Sequence, residues 1–383
     1  MTDRVVVLGA GYAGAGAVTT LEDELADAEI TWVSEHDYHL VLHEVHRVIR
    51  DPDAEDAITI PVEDIKSRDT AFVQGRVDGV DVEERTVTLD DGSEIEYDYL
   101  LIGLGSATAF YGIPGLAEHA HTLKSLGDAR SIHDDVRRAA SEATPADPTR
   151  VVVGGAGISG IQIAGEIAEY RDIHDAPIEI TLVEALEQIM PGRDADLQRR
   201  VRRMVEARGI EILTDDPITE ATGDVVHFEG RDPVDHDVLV WAGGVTGQDA
   251  LEGAGVDANH NRVTADATFR TSDDRVFAVG DAAAIEIDGT DVPPTAQAAW
   301  DAADVAAANV ARAIEGRPLR TWSYEDKGTV LSVGEEAIAH DVMYFPLGTF
   351  DSLPARFLKK AIGARWIASV TSVRRALSAW SVL

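Results

Sequence analysis

Two glycine-rich segments of the chain have the residue types and the spacing that could hold phosphates. Each is an apolar run that ends in G-x-G-x-x-G and continues into a helical pattern. In such a turn the first glycine allows a tight bend, the second admits a diphosphate, and the third lets helix and strand pack closely. The diphosphate then lies at the positive N-terminus of the helix. The glycines are Gly9, Gly11 and Gly14 in the first copy and Gly155, Gly157 and Gly160 in the second.

One motif of this kind alone is a weak signal, but two of them indicate two dinucleotides in one protein. Each copy is followed by a second apolar strand, at residues 30–33 and 180–183, so that each lies in a βαβ unit. Two dinucleotides on one chain predict electron transfer between them. The predicted fold class is therefore α/β, with two Rossmann-like domains.

Acidic residues follow the second strand of both units, where a ribose is expected. Glu184 lies 24 residues after Gly160. An acid there accepts from the ribose hydroxyls of NAD and repels a 2′-phosphate, which favours NAD over NADP. In the first unit the aligned position is Ser34, and the neighbouring Glu35 is the candidate.

Further candidates lie where other buried strands end. Asp281 ends an apolar strand, and a carboxylate at that edge is well placed to accept from a cofactor hydroxyl. Its alternative role is to cap the following helix. Gly105 and Gly243 lie in two similar strand-to-glycine turns, and both are predicted to contact a cofactor.

The order of these elements predicts that one nucleotide domain is inserted in the other. Residues 1–112 and 239–320 form the first domain, and residues 113–238 form the second. Residues 321–383 form a C-terminal region.

Composition restricts the function. The 383 residues carry a net charge of −36, which speaks against nucleic-acid binding and is typical of halophilic adaptation or of an acidic soluble protein. The absence of cysteine excludes a redox-active cysteine pair as an electron relay. Four histidines at 36–46 leave a metal site open, although a loop over a cofactor is favoured. Because the first strand begins by residue 4, no signal peptide is expected. The sequence contains no run of 18 apolar residues, so no membrane-spanning helix is expected.

The C-terminal segment 352–383 has the opposite charge to the rest of the chain. It contains six basic residues and no acid. Its large apolar residues recur every three or four positions and predict one basic amphipathic helix that docks on a membrane surface. The alternative is a helix that packs on its own acidic body or on a second subunit in a homodimer. The apolar positions are Leu358, Ile362, Trp366, Val370, Val373, Leu377 and Trp380.

The motifs together resemble a known family. The double fingerprint, the segment Val-Phe-Ala-Val-Gly-Asp at 276–281 and the turn at 102–106 resemble flavoproteins with two dinucleotide-binding domains. The segments 294–297 and 322–328 are similar to type II NADH dehydrogenases in particular.

This resemblance implies that the first unit binds FAD and the second binds NADH. It also implies that Asp281 holds the ribityl chain, and that Ala296 and Gln297 line the flavin and quinone side. Lys327 would lie close to the isoalloxazine, where a cation and the positive end of the helix opening at 294–295 favour the charge of a reduced flavin.

The chain departs from the family pattern at two positions. Gln162 occupies a position where the family usually has glutamate, and Glu166 lies one helical turn further on the same face. Gln162, Glu166 and Lys327 are the catalytic candidates. Asp301 replaces the second glutamine of an Ala-Gln-x-Ala-x-Gln pattern.

The predicted protein is a non-proton-pumping NADH dehydrogenase on the cytoplasmic face of the cell membrane, which transfers hydride from NADH to FAD and electrons to a quinone. Two alternatives remain open at this point. One is a soluble NADH-dependent flavin reductase for a protein or small-molecule acceptor. The other is a non-enzymatic flavoprotein that senses NADH.

Overall fold

The computed structural model describes residues 2–383 except 344, 346 and 347. Its largest sheet, here called the first sheet, has five parallel strands. Apolar residues fill two inner strands, Arg4–Leu8 and Tyr99–Ile102, which are largely buried on both faces, as parallel sheets require. In spatial order the strands are Val276–Ala278, Tyr99–Ile102, Arg4–Leu8, Glu29–Ser34 and Ala71–Gln74.

Two helices pack together on the first sheet. They are Tyr12–Glu24, which follows the first glycine turn, and Ala296–Ile314. The helices approach closely because their facing residues are small: a Cβ added to Gly16 would lie 2.8 Å from the Cβ of Ala303.

The second sheet has four parallel strands and is inserted in the first domain, as predicted. Its strands are Ile210–Leu213, Ile178–Val183, Thr149–Gly154 and Val238–Trp241. The last of these pairs with Thr149–Gly154 along its whole length. The predicted domain boundary after residue 238 is therefore wrong by one strand, because Val238–Trp241 completes the second sheet. Helices Leu126–Glu142, Ile158–His174 and Ala195–Ala207 accompany this sheet.

A short antiparallel ribbon of Ala107–Thr108 and Val245–Thr246 lies where the chain passes between the two sheets. Smaller sheets surround them, all antiparallel except that Arg262–Ala265 and Ala283–Ile287 pair in parallel. Near the first sheet these are Tyr38–Leu40 with Thr59–Pro61, the meander Val77–Asp81, Thr86–Leu89 and Glu94–Glu96, and the strands Ala258–Asn259, Arg262–Ala265, Ala283–Ile287 and Thr290–Asp291. Near the second sheet they are Ile218–Ala221, Val225–Phe228 and Val234–Asp235. Short helices span Arg47–Arg50, Glu55–Ile58 and Leu116–His119.

The C-terminal region contains the three-stranded sheet Thr329–Val333, Glu336–His340 and Thr349–Asp351, followed by two helices. The single helix that the sequence predicted is broken at Thr371 and Ser372, so that Ser352–Val370 and Val373–Ala379 are separate. We call them the C-terminal helix pair. Within the described part of the chain, no helix is long and apolar enough to cross a membrane.

Candidate functional site

The first glycine turn has the geometry of a phosphate cradle. Gly9 has φ +94°, and a Cβ on Gly14 would lie 1.9 Å from the Gly9 carbonyl oxygen, so both positions need glycine. A Cβ on Gly11 would meet no protein atom within 4 Å. Gly11 precedes helix Tyr12–Glu24, whose N-terminus receives no side-chain cap. The turn therefore presents free backbone N–H donors to an open space.

The second glycine turn repeats this geometry. Gly155 also has φ +94°, and a Cβ on Gly160 would lie 1.8 Å from the Gly155 carbonyl oxygen. Gly157 faces open space and precedes helix Ile158–His174, which again has no side-chain cap. Each sheet thus has one phosphate cradle at its carboxyl edge.

The two candidate ribose acids differ in their surroundings. Glu35 lies just beyond strand Glu29–Ser34 and is exposed. Glu184 is buried, and its carboxylate accepts from the amides of Ala156 at 3.0 Å and Leu186 at 3.1 Å. Glu184 therefore also fixes the second glycine turn, a bracing role that the motif alone did not indicate.

Asp281 belongs to a small polar cluster at the carboxyl edge of the first sheet. Its carboxylate accepts from the Ser106 hydroxyl at 3.2 Å, and Ser106 accepts from the Lys124 ammonium at 3.0 Å. Burial lowers the pKa of Lys124. Next to Ser106, Gly105 has φ +70° and faces open space. Sequence analysis missed Lys124, because no motif marks a lone lysine that precedes a helix cap.

The start of helix Ala296–Ile314 is tied to the segment that carries Lys327. Thr295 caps the helix, so Ala296 is its first residue. The Gln297 carboxamide donates to the Glu325 carbonyl at 2.7 Å and accepts from the Lys327 amide at 3.3 Å. The Lys327 ammonium lies 2.5 Å from the Asp301 carboxylate. Asp301, noted only as a departure from the family pattern, is thus the counter-ion of Lys327.

Gly243 has a steric reason of its own to be glycine. A Cβ there would lie 2.1 Å from the ring of Trp241. Beside it, the hydroxyl of the exposed Tyr111 covers Gly244, and Tyr111 has the unusual φ of +53°.

Gln162 and Glu166 contact a cluster of largely buried charged and polar side chains, which we call the charge network. Its members are Glu44, His46, Arg47, Arg50, Glu166 and Lys359. Gln162 Nε2 lies 3.2 Å from His46 Nε2. Glu166 has no exposed surface, and its carboxylate pairs with Arg47 at 3.2 Å and with Arg50 at 3.4 Å. Burial raises the pKa of Glu166. The carboxylate of Glu166 therefore points into protein, whereas Gln162 keeps 8% of its surface exposed.

Glu44 and Lys359 connect the charge network to the C-terminal helix pair. The Lys359 ammonium lies 2.6 Å from Oε1 of Glu44, and both side chains are buried. Arg47 adds a contact to Glu44 at 3.3 Å. Burial alone would raise the pKa of Glu44, but the neighbouring charges, that of Lys359 above all, hold this pKa well below its usual range.

His39 and a group of aromatic rings pack against the first glycine turn. His39 donates from Nδ1 to the Ala10 carbonyl at 2.7 Å and accepts from the Trp366 indole at 2.8 Å. The Trp366 ring also packs on Tyr12 and Trp300. Burial lowers the pKa of His39 to about 4, so the ring is neutral at pH 7. The described residues contain no group of three or more His, Cys, Asp or Glu side chains that could hold a metal ion.

The side chains of the C-terminal helix pair are oriented differently from the prediction. Trp366 and Val370 of the predicted stripe are buried in the body of the protein. Three of the six basic side chains pair inward: Lys359 with Glu44, Arg356 with Glu335, and Arg375 with Asp64. The alternative of packing on its own acidic body is therefore correct for one face of the pair, and those charges are engaged within the protein.

A second face of the pair remains apolar and exposed. Leu353, Phe357, Val373 and Leu377 are 74, 64, 67 and 67% exposed. The rings of Phe357 and Trp380 pack together across the two helices, 5.3 Å apart. Large apolar groups on one surface of a protein indicate an interaction site.

The residues present fit two dinucleotides. Both glycine turns are open where a diphosphate would lie, and both have uncapped helix N-termini. The Ser106, Lys124 and Asp281 cluster lies beside the first turn, where the polar chain of FAD would run.

Comparisons with known proteins agree with this geometry. The family model of the pyridine nucleotide-disulphide oxidoreductases matches residues 3–303. The type II NADH:quinone oxidoreductase of Staphylococcus saprophyticus is 29% identical over 385 residues, which cover 94% of both chains. That of Staphylococcus aureus is 28% identical and covers 97% of this chain and 96% of its own.

Solved structures share the fold. NDH2 from Plasmodium falciparum in complex with NADH has a TM-score of 0.83 at 14% identity and covers 100% of this chain and 98% of its own. The sulfide:quinone oxidoreductase of Aquifex aeolicus has a TM-score of 0.80 at 20% identity, covering 97% and 92%. The predicted two-domain fold and the resemblance to type II NADH dehydrogenases are thereby confirmed. The chain, with two phosphate cradles in two parallel sheets, belongs to the pyridine nucleotide-disulphide oxidoreductase family of FAD- and NAD-using enzymes.

Proposed function

We propose that this enzyme oxidises NADH and passes the electrons through FAD to a quinone at the cytoplasmic face of the cell membrane. The observation that carries the proposal is the pair of open glycine turns, one in each sheet of a single chain. The names of the Staphylococcus relatives support the choice of NADH and quinone.

In this proposal, the residues of the chain bind the two dinucleotides and orient them. Gly11 and Gly157 admit the two diphosphates, and Glu35 and Glu184 accept from the riboses. Asp281, held by Ser106, accepts from the ribityl hydroxyls. FAD, when bound, takes up hydride from NADH and releases electrons to an acceptor.

The segment around Lys327 shapes the acceptor side. Gln297 and Asp301, one turn apart on helix Ala296–Ile314, hold the backbone and the ammonium of Lys327. The ion pair keeps the Lys327 ammonium beside the helix N-terminus, and the Asp301 carboxylate balances its charge. A fixed cation there would favour negative charge on a bound flavin. Because the chain contains no cysteine, a flavin would pass its electrons directly to the acceptor.

The experiment that tests this is an anaerobic titration of the purified protein. NADH should bleach the flavin absorption with one equivalent, and a menaquinone analogue should restore it within the turnover time. A colourless protein that refuses FAD contradicts the proposal at its base. Bleaching by NADH without reoxidation by the quinone favours the soluble reductase, and bleaching slower than seconds favours the NADH-sensing flavoprotein.

The exposed apolar face of the C-terminal helix pair supports the proposed membrane attachment. We expect this face to enter the lipid boundary, with the exposed Arg365 and Arg374 near the headgroups. Because most of the other basic residues of the segment are engaged within the protein, apolar burial should provide most of the binding, and salt should weaken it little.

Surface substitutions test this better than deletion of residues 352–383, which would also remove the buried Trp366 and Ile367. The variant F357S/L377S should lose binding to anionic vesicles and keep NADH oxidation with a soluble dye. Ile173, 60% exposed on another helix, gives the matched control I173S, which should bind as the unmodified protein does. Binding that survives F357S/L377S contradicts membrane docking through this face. A dimer in solution that this variant dissolves would show instead that a second copy covers it.

A further inference from the structure

Gln162 is held at one end of its amide only. Its nitrogen lies 3.2 Å from Nε2 of His46, while its carbonyl oxygen has no partner among the described residues, and the residue is 8% exposed. The same His46 nitrogen lies 3.3 Å from the Ser332 hydroxyl. An amide nitrogen can only donate, so this arrangement requires His46 Nε2 to accept.

The surroundings of His46 keep its ring neutral and able to accept. Burial lowers the pKa of His46 well below its usual range, and the cations Lys359 and Arg47 lower it further. The carboxylates of Glu44 and Glu166, each 3.9 Å from Nε2, act in the opposite direction but are themselves paired with Lys359, Arg47 and Arg50.

We propose that His46 is a positioning residue which, by accepting from the amide nitrogen of Gln162, turns the amide carbonyl outward as an acceptor for the carboxamide N–H of nicotinamide. The inference rests on the proposed function, because it assumes that NADH occupies the second glycine turn. The Gln162 carbonyl then accepts the hydrogen bond that a carboxylate at this position could also accept. Unlike a carboxylate, it adds no negative charge beside Glu166.

The geometry gives His46 control over how strongly the enzyme prefers a nucleotide that carries the carboxamide N–H group to one that lacks it. Without an acceptor at position 46 the amide can rotate, and its NH₂ group would then face the nicotinamide N–H group and repel it. One hydrogen bond of this kind changes affinity by about three- to tenfold.

The experiment compares two ligands that differ in this N–H group alone. NAD+ and 3-acetylpyridine adenine dinucleotide, which has a methyl ketone in place of the carboxamide, are titrated into the FAD-loaded enzyme by calorimetry. The unmodified protein should prefer NAD+ by about three- to tenfold. H46L should bring the two affinities together, and H46Q, which keeps an accepting carbonyl, should restore part of the preference.

Two further variants separate positioning from a general structural effect. Q162E should keep the preference, because a carboxylate oxygen also accepts. In a Q162L background, H46L should have no further effect on the ratio. A preference unchanged in H46L, or lowered by H46L even in the Q162L background, overturns the inference. If H46L does not fold, the preference of H46Q should lie between those of the unmodified protein and Q162L, and a preference outside this range overturns the inference.

The two levels of the proposal fail differently. If the unmodified protein binds neither nucleotide and NADH does not reduce its flavin, the proposed function is wrong. If both nucleotides bind but their ratio does not respond to His46, only the positioning role is wrong.

Discussion

At the level of single residues, the glycines of the second turn divide into those that the fold needs and one that the ligand needs. Gly157 has φ −75° and open space in front of it, so an alanine there fits the protein. We expect G157A to fold and hold FAD normally but to bind NADH at least tenfold more weakly, because the methyl group occupies the diphosphate position. Calorimetry with NAD+ and the flavin spectrum measure the two properties.

Gly160 provides the contrast. Its Cβ would lie 1.8 Å from a backbone oxygen, so G160A should lower the free energy of unfolding in urea and reduce the yield of folded protein. If G157A destabilised the protein as much as G160A, the assignment of Gly157 to ligand approach would be incorrect.

The carboxylate of Glu44 should make stability depend on pH. Its pKa is lowered in the folded protein, so it binds a proton more weakly there than in the unfolded chain. Its contribution is complete well above the unfolded pKa, about 4.3, and decreases as the pH falls below that value. Urea unfolding at pH 7 and pH 4 should show a larger loss for the unmodified protein than for E44Q. Equal losses would mean that Glu44 is not held by its cations.

The glycines, Asp281 and Glu184 could be predicted from the sequence because each belongs to a local motif with fixed spacing. The charge network could not. Glu44, Glu166 and Lys359 are far apart along the chain and carry no pattern that reports a shared neighbour. Their pairing depends on three-dimensional packing, and so does the counter-ion role of Asp301.

At the level of elements, the C-terminal helix pair is attached to the body by a buried ion pair. Replacing Lys359 with methionine leaves the Glu44 carboxylate buried without its nearest cation, and we expect a loss of about 3–5 kcal/mol in stability. The double variant E44Q/K359M removes both charges and should recover much of that loss. Thermal or urea unfolding measures both. A K359M variant as stable as the unmodified protein would contradict the pairing.

The sequence predicted these helices better than it predicted their orientation. The spacing of apolar residues indicated helix correctly, but a stripe that runs from Leu358 to Trp380 assumes one continuous axis. The break at Thr371 and Ser372 rotates the second helix, so that Trp366 faces the core while Leu377 faces outward. Strand Val238–Trp241 was placed in the wrong domain for a similar reason, since an apolar run does not indicate which sheet it joins.

At the level of the whole molecule, the net charge of −36 should oppose folding through repulsion between acidic groups. Salt screens this repulsion, and the Debye length falls from about 10 Å at 0.1 M to about 3 Å at 1 M. We therefore expect the Tm to rise between these KCl concentrations, as measured by circular dichroism. A Tm that stays constant or falls would show that paired acids, such as Asp196 with Arg199 and Arg200, already balance the surface.

The packing of Trp366 on Tyr12 joins the last long helix of the chain to the first. Tyr12 and its glycine turn leave the ribosome long before Trp366, the ring that packs against them. The first domain must also wait for strand Val276–Ala278, whereas the second can close its sheet once Trp241 has left the exit tunnel. The inserted domain is thus expected to fold before the first domain during translation, and the flavin to be acquired only after Trp366 has left the exit tunnel.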